Sequence, residues 1–241
     1  MCPERKFCSS KISTIKISNY YKKPYEIERG KIITKIIEDI SLNTQCYEKL
    51  AVDIGCGPGY FTGVLSTNGW KITAIDIDNE NIESAGNYAN ETHLGEAIAV
   101  LSKMPSNYYD LALALEIIEH MSKPSGEAFL RAIRRVLKQN GKMIISTPNK
   151  HSIEGLGGYY WGEKIRGNGR WKAWDSTHIH IYSSREILQL LKLNNFSIDK
   201  TIGYWYEGRL PFIGRWRLPF LKSTVFPFNR IGFNIILVSC P

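Results

Sequence analysis

The sequence predicts an α/β fold with a mostly parallel, doubly wound sheet, and three observations carry that prediction. Apolar runs of strand length alternate with stretches of helical period through most of the chain. The run 109–118 is unbroken except at Asp110 and Glu116, the pattern of a strand buried on both faces of a parallel sheet. The run 50–54 passes directly into Gly55, Gly57 and Gly59 at alternate positions, so a buried strand, a tight turn and a helix start follow one another.

Residues 1–24 are polar and basic without a period, the composition of a flexible arm. Over 25–40, Ile32, Ile33, Ile36, Ile37 and Ile40 recur at helical spacing, which predicts a helix packed on the sheet. After the strand 50–54 and its glycine turn, 60–68 reads as a crossover helix ended by Asn68-Gly69, and 70–76 as the second strand, closing on Asp76. A second helix is expected over 79–90 and a short third strand over 97–101, with a turn at Met104-Pro105. The fourth strand, 109–118, leads into Glu119-His120. A helix over 127–138, closed by Asn140-Gly141, and a fifth strand over 142–146 follow, then Thr147-Pro148-Asn149.

Glycines and aromatics interrupt this rhythm over 149–182, far beyond the usual connection length of about 4–6 residues, so this insertion is expected to form a substrate lid or pocket wall. Tyr159, Tyr160, Trp161 and Trp174 are its candidate substrate contacts. A helix over 183–193 has Ser184 as its cap candidate, and strands follow over 196–205 and 232–240. Between them, 206–230 interleaves Arg209, Arg215, Arg217, Lys222 and Arg230 with aromatics and leucines. It exceeds a hairpin turn, and Pro211, Pro219 and Pro227 argue against one continuous helix. Residues 25–241 are thus expected to make a single domain with two insertions.

Composition bounds the function. A chain of 241 residues with 43% hydrophobic content can bury a full core. No apolar run approaches the ~20 residues of a membrane helix and the N-terminus lacks a signal-peptide core, so a cytoplasmic location is the default. Five scattered cysteines fit reduced thiols, and none has the spacing of a metal ligand set. The net charge of +8 divides into +6 over 1–35, −4 over 36–150 and +6 over 151–241. Basic flanks of this kind suit a solvated surface, an anionic substrate, a phospholipid surface or nucleic acid.

Glycine permits positive φ and close backbone approach, so the turn after 50–54 can bring N–H groups and a helix N-terminus against a ligand, with Asp53 directing a carboxylate into the same crevice. The spacing is not G-x-G-x-x-G: Gly59 comes four residues after Gly55. The pattern D-x-G-x-G-x-G with the strand-terminal Asp76 about 20 residues on, followed by L-E-I-I-E-H at 115–120, resembles the class I S-adenosylmethionine-dependent methyltransferases, in particular the group that methylates quinone precursors. That resemblance implies a Rossmann-like, seven-stranded sheet whose last strand, 232–240, is antiparallel. It also implies S-adenosyl-L-methionine as cofactor. Gly55, Gly57 and Gly59, with Cys56 between them as a small loop filler, would receive its methionine end, Asp53 its ammonium and Asp76 its ribose. Ile77 would touch the adenine. No acid follows the expected third strand, so the adenine amino group would meet Leu101 and Ser102 instead.

Transfer to oxygen of a small-molecule or lipid-precursor acceptor needs alignment and a group to take the acceptor's proton. His120, His178 and His180 are the candidates, with Glu116 beside the cofactor. The alternation His178-Ile179-His180 puts both imidazoles on one face of an extended segment, yet no third ligand of suitable spacing accompanies them, so no metal is expected. The 206–230 stretch, with Trp, Phe and Arg, suits peripheral contact with a membrane interface. An RNA methyltransferase or RNA-binding protein is the alternative, suggested by the +8 charge and the aromatics in the flanks and ranked second because no RNA-binding domain is recognisable. A non-catalytic S-adenosylmethionine-binding protein is the third.

Overall fold

Pro24 opens the first helix, where its missing N–H costs nothing. The computed structural model describes residues 24–152, 172, 175–210 and 214–241, with the backbone alone for 206–210 and 214–221. Helix α1 (Pro24–Asn43) buries Ile32, Ile33, Ile36 and Ile37 along the expected stripe, together with Arg29 and Ser41. Ser41 is a tether: its hydroxyl accepts the Trp70 indole N–H at 2.7 Å and its carbonyl accepts Lys49 Nζ at 2.6 Å.

Strand and helix then alternate: β1 (Lys49–Ile54), α2 (Tyr60–Thr67), β2 (Trp70–Asp76), α3 (Asn79–Ala85), β3 (Glu91–Leu94), α4 (Ala97–Lys103), β4 (Tyr109–Leu115), α5 (Lys123–Val136), β5 (Leu137–Pro148), α6 (Ser184–Leu193), β6 (Ser197–Leu210), β7 (Gly214–Ser223) and β8 (Asn234–Cys240). They form one sheet in the order β3-β2-β1-β4-β5-β8-β6-β7. The first five strands run parallel, and β8 lies antiparallel between β5 and β6, as expected of the last strand. The sheet has eight strands rather than seven, because the 206–230 stretch extends β6 to Leu210 and returns antiparallel as β7.

The third strand also differs from expectation. Residues 97–101 are helical, within α4, and the strand is the preceding Glu91–Leu94. An edge strand of four residues with Glu91, Thr92 and Leu94 exposed has no apolar run to announce it, whereas a short apolar run is ambiguous between strand and helix. Glu96 decides the matter locally: its carboxylate accepts the Ala99 N–H at 2.9 Å and caps α4. Helix α5 begins earlier than expected, on Ser122 as cap, and Asn140-Gly141 falls in a bulge of β5 between the Tyr109–Leu137 and Leu111–Lys142 pairs. Ser183, not Ser184, caps α6 in a reciprocal box with Glu186.

Alternation along the strands divides the core between two faces. Ala112 and Ala114 of β4 face α4, α5 and α6 through Leu101, Phe129, Ile133 and Leu191. Leu111 and Leu113 face α1 and α2 through Ile33, Ile37, Phe61 and Leu65. On β4, small residues thus lie under one helical layer and large ones under the other. Among the described residues no helix is long and apolar enough to cross a membrane. The strand order reverses between β1 and β4, so the carboxyl ends of β1, β2, β4 and β5 open on a common crevice.

The glycine turn after β1 locks onto the neighbouring unit. Gly55, Gly57 and Gly59 have φ of 68°, 53° and 89°, in the left-handed region. A Cβ on Gly59 would stand 2.7 Å from the Ala85 Cα, whereas one on Gly57 would meet nothing within 4 Å. Gly59→Ala is therefore expected to cost about 2–4 kcal/mol, from left-handed strain plus displacement of α3, and Gly57→Ala only the strain of about 1–2 kcal/mol. Urea unfolding of the two variants checks this, and equal losses would contradict it.

Candidate active site

Asp76 holds the glycine cradle in shape. Its Oδ2 accepts the Gly57 N–H at 2.8 Å, and its Oδ1 accepts the Asp78 N–H at 2.9 Å and the Asn81 amide at 3.3 Å. The carboxylate at the end of β2 thereby fixes the loop at the end of β1, and any diol it grips shares those oxygens. Open space over Gly57 and the 76% exposure of Ile77 leave room for a ligand along this edge.

Asp53 lies deeper. It is 2% exposed, and its Oδ2 accepts the Thr62 hydroxyl at 2.7 Å. Burial pushes its carboxyl up to about 7, with the Asp76 charge adding to the rise and the Thr62 hydrogen bond opposing it. A cation at this place would restore the ionised form, which fits the ammonium of an amino-acid ligand. Cys56 is buried with its thiol directed to the Gly57 carbonyl at 3.4 Å, and burial raises it, so it fills the loop as an inert thiol. Leu101 and Ser102 do not line the crevice as expected: Leu101 is wholly buried in the core and the Ser102 hydroxyl donates to the Ala99 carbonyl within α4. The residues that do follow the third strand are Gly95, Glu96 and Ala97. An acid, Glu96, does follow the observed third strand, exposed and capping α4, and the signal for it was its position before a helical apolar pattern.

The carboxyl end of β4 carries the second half of the site. Glu116 leaves the strand at φ 54°, with its N–H on the Ser146 carbonyl at 3.0 Å. Its Oε1 accepts the Ser146 hydroxyl at 2.7 Å and its Oε2 meets the Arg29 guanidinium at 3.0 Å. Arg29 was not expected here; the sign of it was a charge within the apolar stripe of α1, in step with Ile33 and Ile36. Glu119 is fully buried, accepts the Thr147 hydroxyl at 3.1 Å on Oε2, and has no described partner on Oε1. Burial, and after it the Glu116 charge, hold its carboxyl well above the ordinary range.

Of the three histidines, two converge. The His120 and His178 rings stand 4.8 Å apart at 68°, while His180 packs on Tyr182 at 4.5 Å. The His178 Nδ1 lies 2.8 Å from the Lys172 carbonyl, and burial lowers the ring's affinity for a proton. The His120 Nδ1 lies 3.1 Å from the Thr177 hydroxyl. Backbone N–H groups of Ile179 and His180 both donate to the Glu119 carbonyl, which stitches this segment to the end of β4. One donor atom each of Glu119, His120 and His178 lies within 4.8 Å of the others, so these three side chains could hold a metal ion; sequence spacing hid Glu119 as the third member. Asn149, of the Thr147-Pro148-Asn149 stretch, is structural: its amide donates to the Arg230 and Gly232 carbonyls and its oxygen accepts the His151 and Ser184 N–H groups. Tyr159, Tyr160, Trp161 and Trp174 lie outside the described residues.

Comparison with known proteins agrees with this geometry. The family model described as "Methyltransferase domain" matches residues 27–201. Ubiquinone biosynthesis O-methyltransferase of Rickettsia typhi is 32% identical over 179 residues, which are 71% of this chain and 70% of that protein. Its counterpart in Rickettsia felis is 31% identical over 193 residues, 76% of this chain and 74% of that one. Among solved structures, a SAM-dependent methyltransferase from Archaeoglobus fulgidus superimposes with a TM-score of 0.61 at 19% identity, covering 88% of this chain and 94% of its own. Magnesium protoporphyrin IX methyltransferase from Synechocystis PCC 6803, with bound SAH, gives 0.60 at 17% identity over 91% of this chain and 86% of its own.

The buried Asp53 makes a prediction about the free protein. The folded chain keeps a proton on it up to about 7 that the unfolded chain releases near the ordinary 3.8, so its contribution to stability falls as pH rises between those values. Unfolding of the wild type and of Asp53→Asn at pH 5 and 8 should show the wild type losing ground to the variant at the higher pH. Parallel pH profiles would contradict the assignment.

Proposed function

The chain belongs to the class I S-adenosylmethionine-dependent methyltransferases, and from that premise we propose that it methylates a ring hydroxyl of a quinone precursor or similar lipid-precursor phenol. The observation that carries this is the joining, along one sheet edge, of an open glycine cradle between Asp53 and Asp76 with the pair Glu119-His120 at the end of β4. Gly55, Gly57 and Gly59 would hold the methionine end of S-adenosyl-L-methionine, Asp53 its ammonium, Asp76 its ribose, and Ile77 with Glu96 its adenine. The bound sulfonium supplies an activated methyl group. What this chain's own residues must do is align the acceptor and take its proton. His120 is the group that takes it, with His178 beside it and Glu116 fixed behind by Arg29. The name of the Rickettsia relatives supports oxygen in a quinone precursor as the acceptor.

Calorimetry with S-adenosylmethionine and its demethylated product is expected to give micromolar binding, and labelled methyl is expected to enter a catechol bearing a prenyl chain as an ether. Absence of binding would sink the proposal. His120→Ala should lower turnover by about 10²–10⁴-fold with cofactor affinity unchanged. Undiminished turnover in that variant would remove His120 from the role. The proximity of Glu119, His120 and His178 favours a second reading of the same step, in which those three hold a divalent cation that acidifies the hydroxyl. A rate lost on chelator treatment and restored by zinc or another imidazole-binding divalent metal would select it; a rate that survives chelation selects His120.

The same proposal includes contact with an anionic lipid surface through 206–230. Val225, Phe226 and Phe228 are more than half exposed, and the Arg230 guanidinium stands 5.2 Å over the Phe226 ring, the pairing of apolar wedge and cation that suits an interface. Co-sedimentation with phosphatidylglycerol vesicles at low salt should be lost in the double variant Phe226→Ser, Phe228→Ser. No binding by the wild type would refute the contact.

A further inference from the structure

His120 reaches the site with one nitrogen engaged, and the identity of its partner fixes which nitrogen is free. Thr177 Oγ1 lies 3.1 Å from the His120 Nδ1 and 2.6 Å from the Asp175 Oδ1. A hydroxyl has a single proton, and a carboxylate can only accept. The shorter, charge-assisted bond takes that proton, so the Thr177 oxygen is left to accept from His120. Asp175 does not turn aside to meet the hydroxyl alone, because its Oδ1 also accepts the Thr177 N–H at 2.8 Å. The turn 175–177 is therefore closed by the same oxygen that orients the hydroxyl.

The neighbouring ring obeys the same logic by another route. The His178 Nδ1 is 2.8 Å from the Lys172 carbonyl, an acceptor only, so that nitrogen too carries the hydrogen when the ring is neutral. Lys172 and Thr177 thus impose one tautomer on the two imidazoles, whose rings stand 4.8 Å apart edge to face.

We propose that Asp175 and Thr177 are positioning residues for His120: they hold the neutral ring in its Nδ1–H tautomer and present the Nε2 lone pair to the site. This rests on the role given above to His120, and it adds residues that act through that ring. If Asp175 served only to close its turn, removing the Thr177 hydroxyl would leave the ring's tautomer as it was. With the relay, that hydroxyl is the hydrogen-bonded link between the Asp175 carboxylate and the His120 ring, while the other carboxylate oxygen lies 4.0 Å from the His178 Nε2.

The test is nitrogen NMR of the full chain with labelled histidine, at about pH 8 where unperturbed imidazoles are neutral, with the His120 signals assigned by His120→Gln. The wild type should show Nδ1–H for His120, Thr177→Ser should retain it, and Thr177→Val and Asp175→Ala should shift the ring toward the other tautomer. In step with this, kcat should fall by up to about 10²-fold in Thr177→Val at little change in KM, and recover in Thr177→Ser. Cofactor binding in each variant reports that it is folded, since the cradle lies elsewhere. An Nε2–H tautomer in the wild type, or an Nδ1–H signal unmoved in Thr177→Val, would overturn the proposal. Full turnover in His120→Ala with the tautomer results intact would instead sink the catalytic role of His120 and leave the relay standing.

Discussion

The ion pair between Arg29 and Glu116 is the contact on which the rest of the site depends. Glu116 sits where β4 leaves the sheet, in a left-handed conformation that a non-glycine residue adopts at some cost, and three hydrogen-bonding or ionic contacts keep it there. One of them comes from α1, which precedes the whole alternating fold in the chain. Removing either member would leave the other uncompensated where Arg29 is buried and Glu116 partly so. The pair therefore fixes α1 over the crevice and, through the turn at Glu116, aims Glu119 and His120. A strand end that relaxed out of this turn would carry both away from the carboxyl edge.

The sheet edge concentrates acidic groups, and the ways in which they are satisfied differ instructively. Asp76 takes three hydrogen-bond donors and Glu116 takes a guanidinium and a hydroxyl. Asp53 and Glu119 have one side-chain hydroxyl each and almost no water, and both are pushed up. Desolvation without a partner is an unfinished electrostatic arrangement. One of the two unfinished places lies under the glycine cradle and the other beside the histidines. In the function proposed above, a cationic amino-acid tail would complete the first, and a proton or cation handled during the reaction would complete the second.

The sequence made the cradle legible because its units are local. Apolar β1, the glycine turn, α2 and β2 down to Asp76 follow one another without interruption, and each step limits the next. The parallel sheet was equally legible, since β1 and β4 are covered on both faces and admit few polar residues. What failed to show were the margins. Glu91–Leu94 lies at an edge with one neighbour, so it needs no apolar run, and α4 supplied a false one. The β6–β7 hairpin likewise forms at the other edge, where arginines and prolines are tolerated and mask the strand pattern. Arg29 and Thr177 escaped for a different reason: each acts on a residue far along the chain, Glu116 and His120, and although a charge in the apolar stripe of α1 marked Arg29 as unusual, nothing in the sequence names the partner.

That division between local and distant contacts separates binding from chemistry in this molecule. Everything assigned to the cofactor's methionine end and ribose lies within β1, its loop and the end of β2, stabilised by bonds such as Gly57 to Asp76 that close over a short stretch. The end to which proton transfer is assigned is assembled from α1, the end of β4, the end of β5 and residues 172 and 175–180, joined by Arg29–Glu116, Thr147–Glu119 and Thr177–His120. Loops and long-range contacts open more readily than a sheet core. The cradle can then remain formed while the acceptor side rearranges, and acceptor choice can change without disturbing the unit that holds the methyl donor. A fold organised this way keeps one cofactor site and leaves the opposite wall, carried by the most distant parts of the chain, free to meet different acceptors.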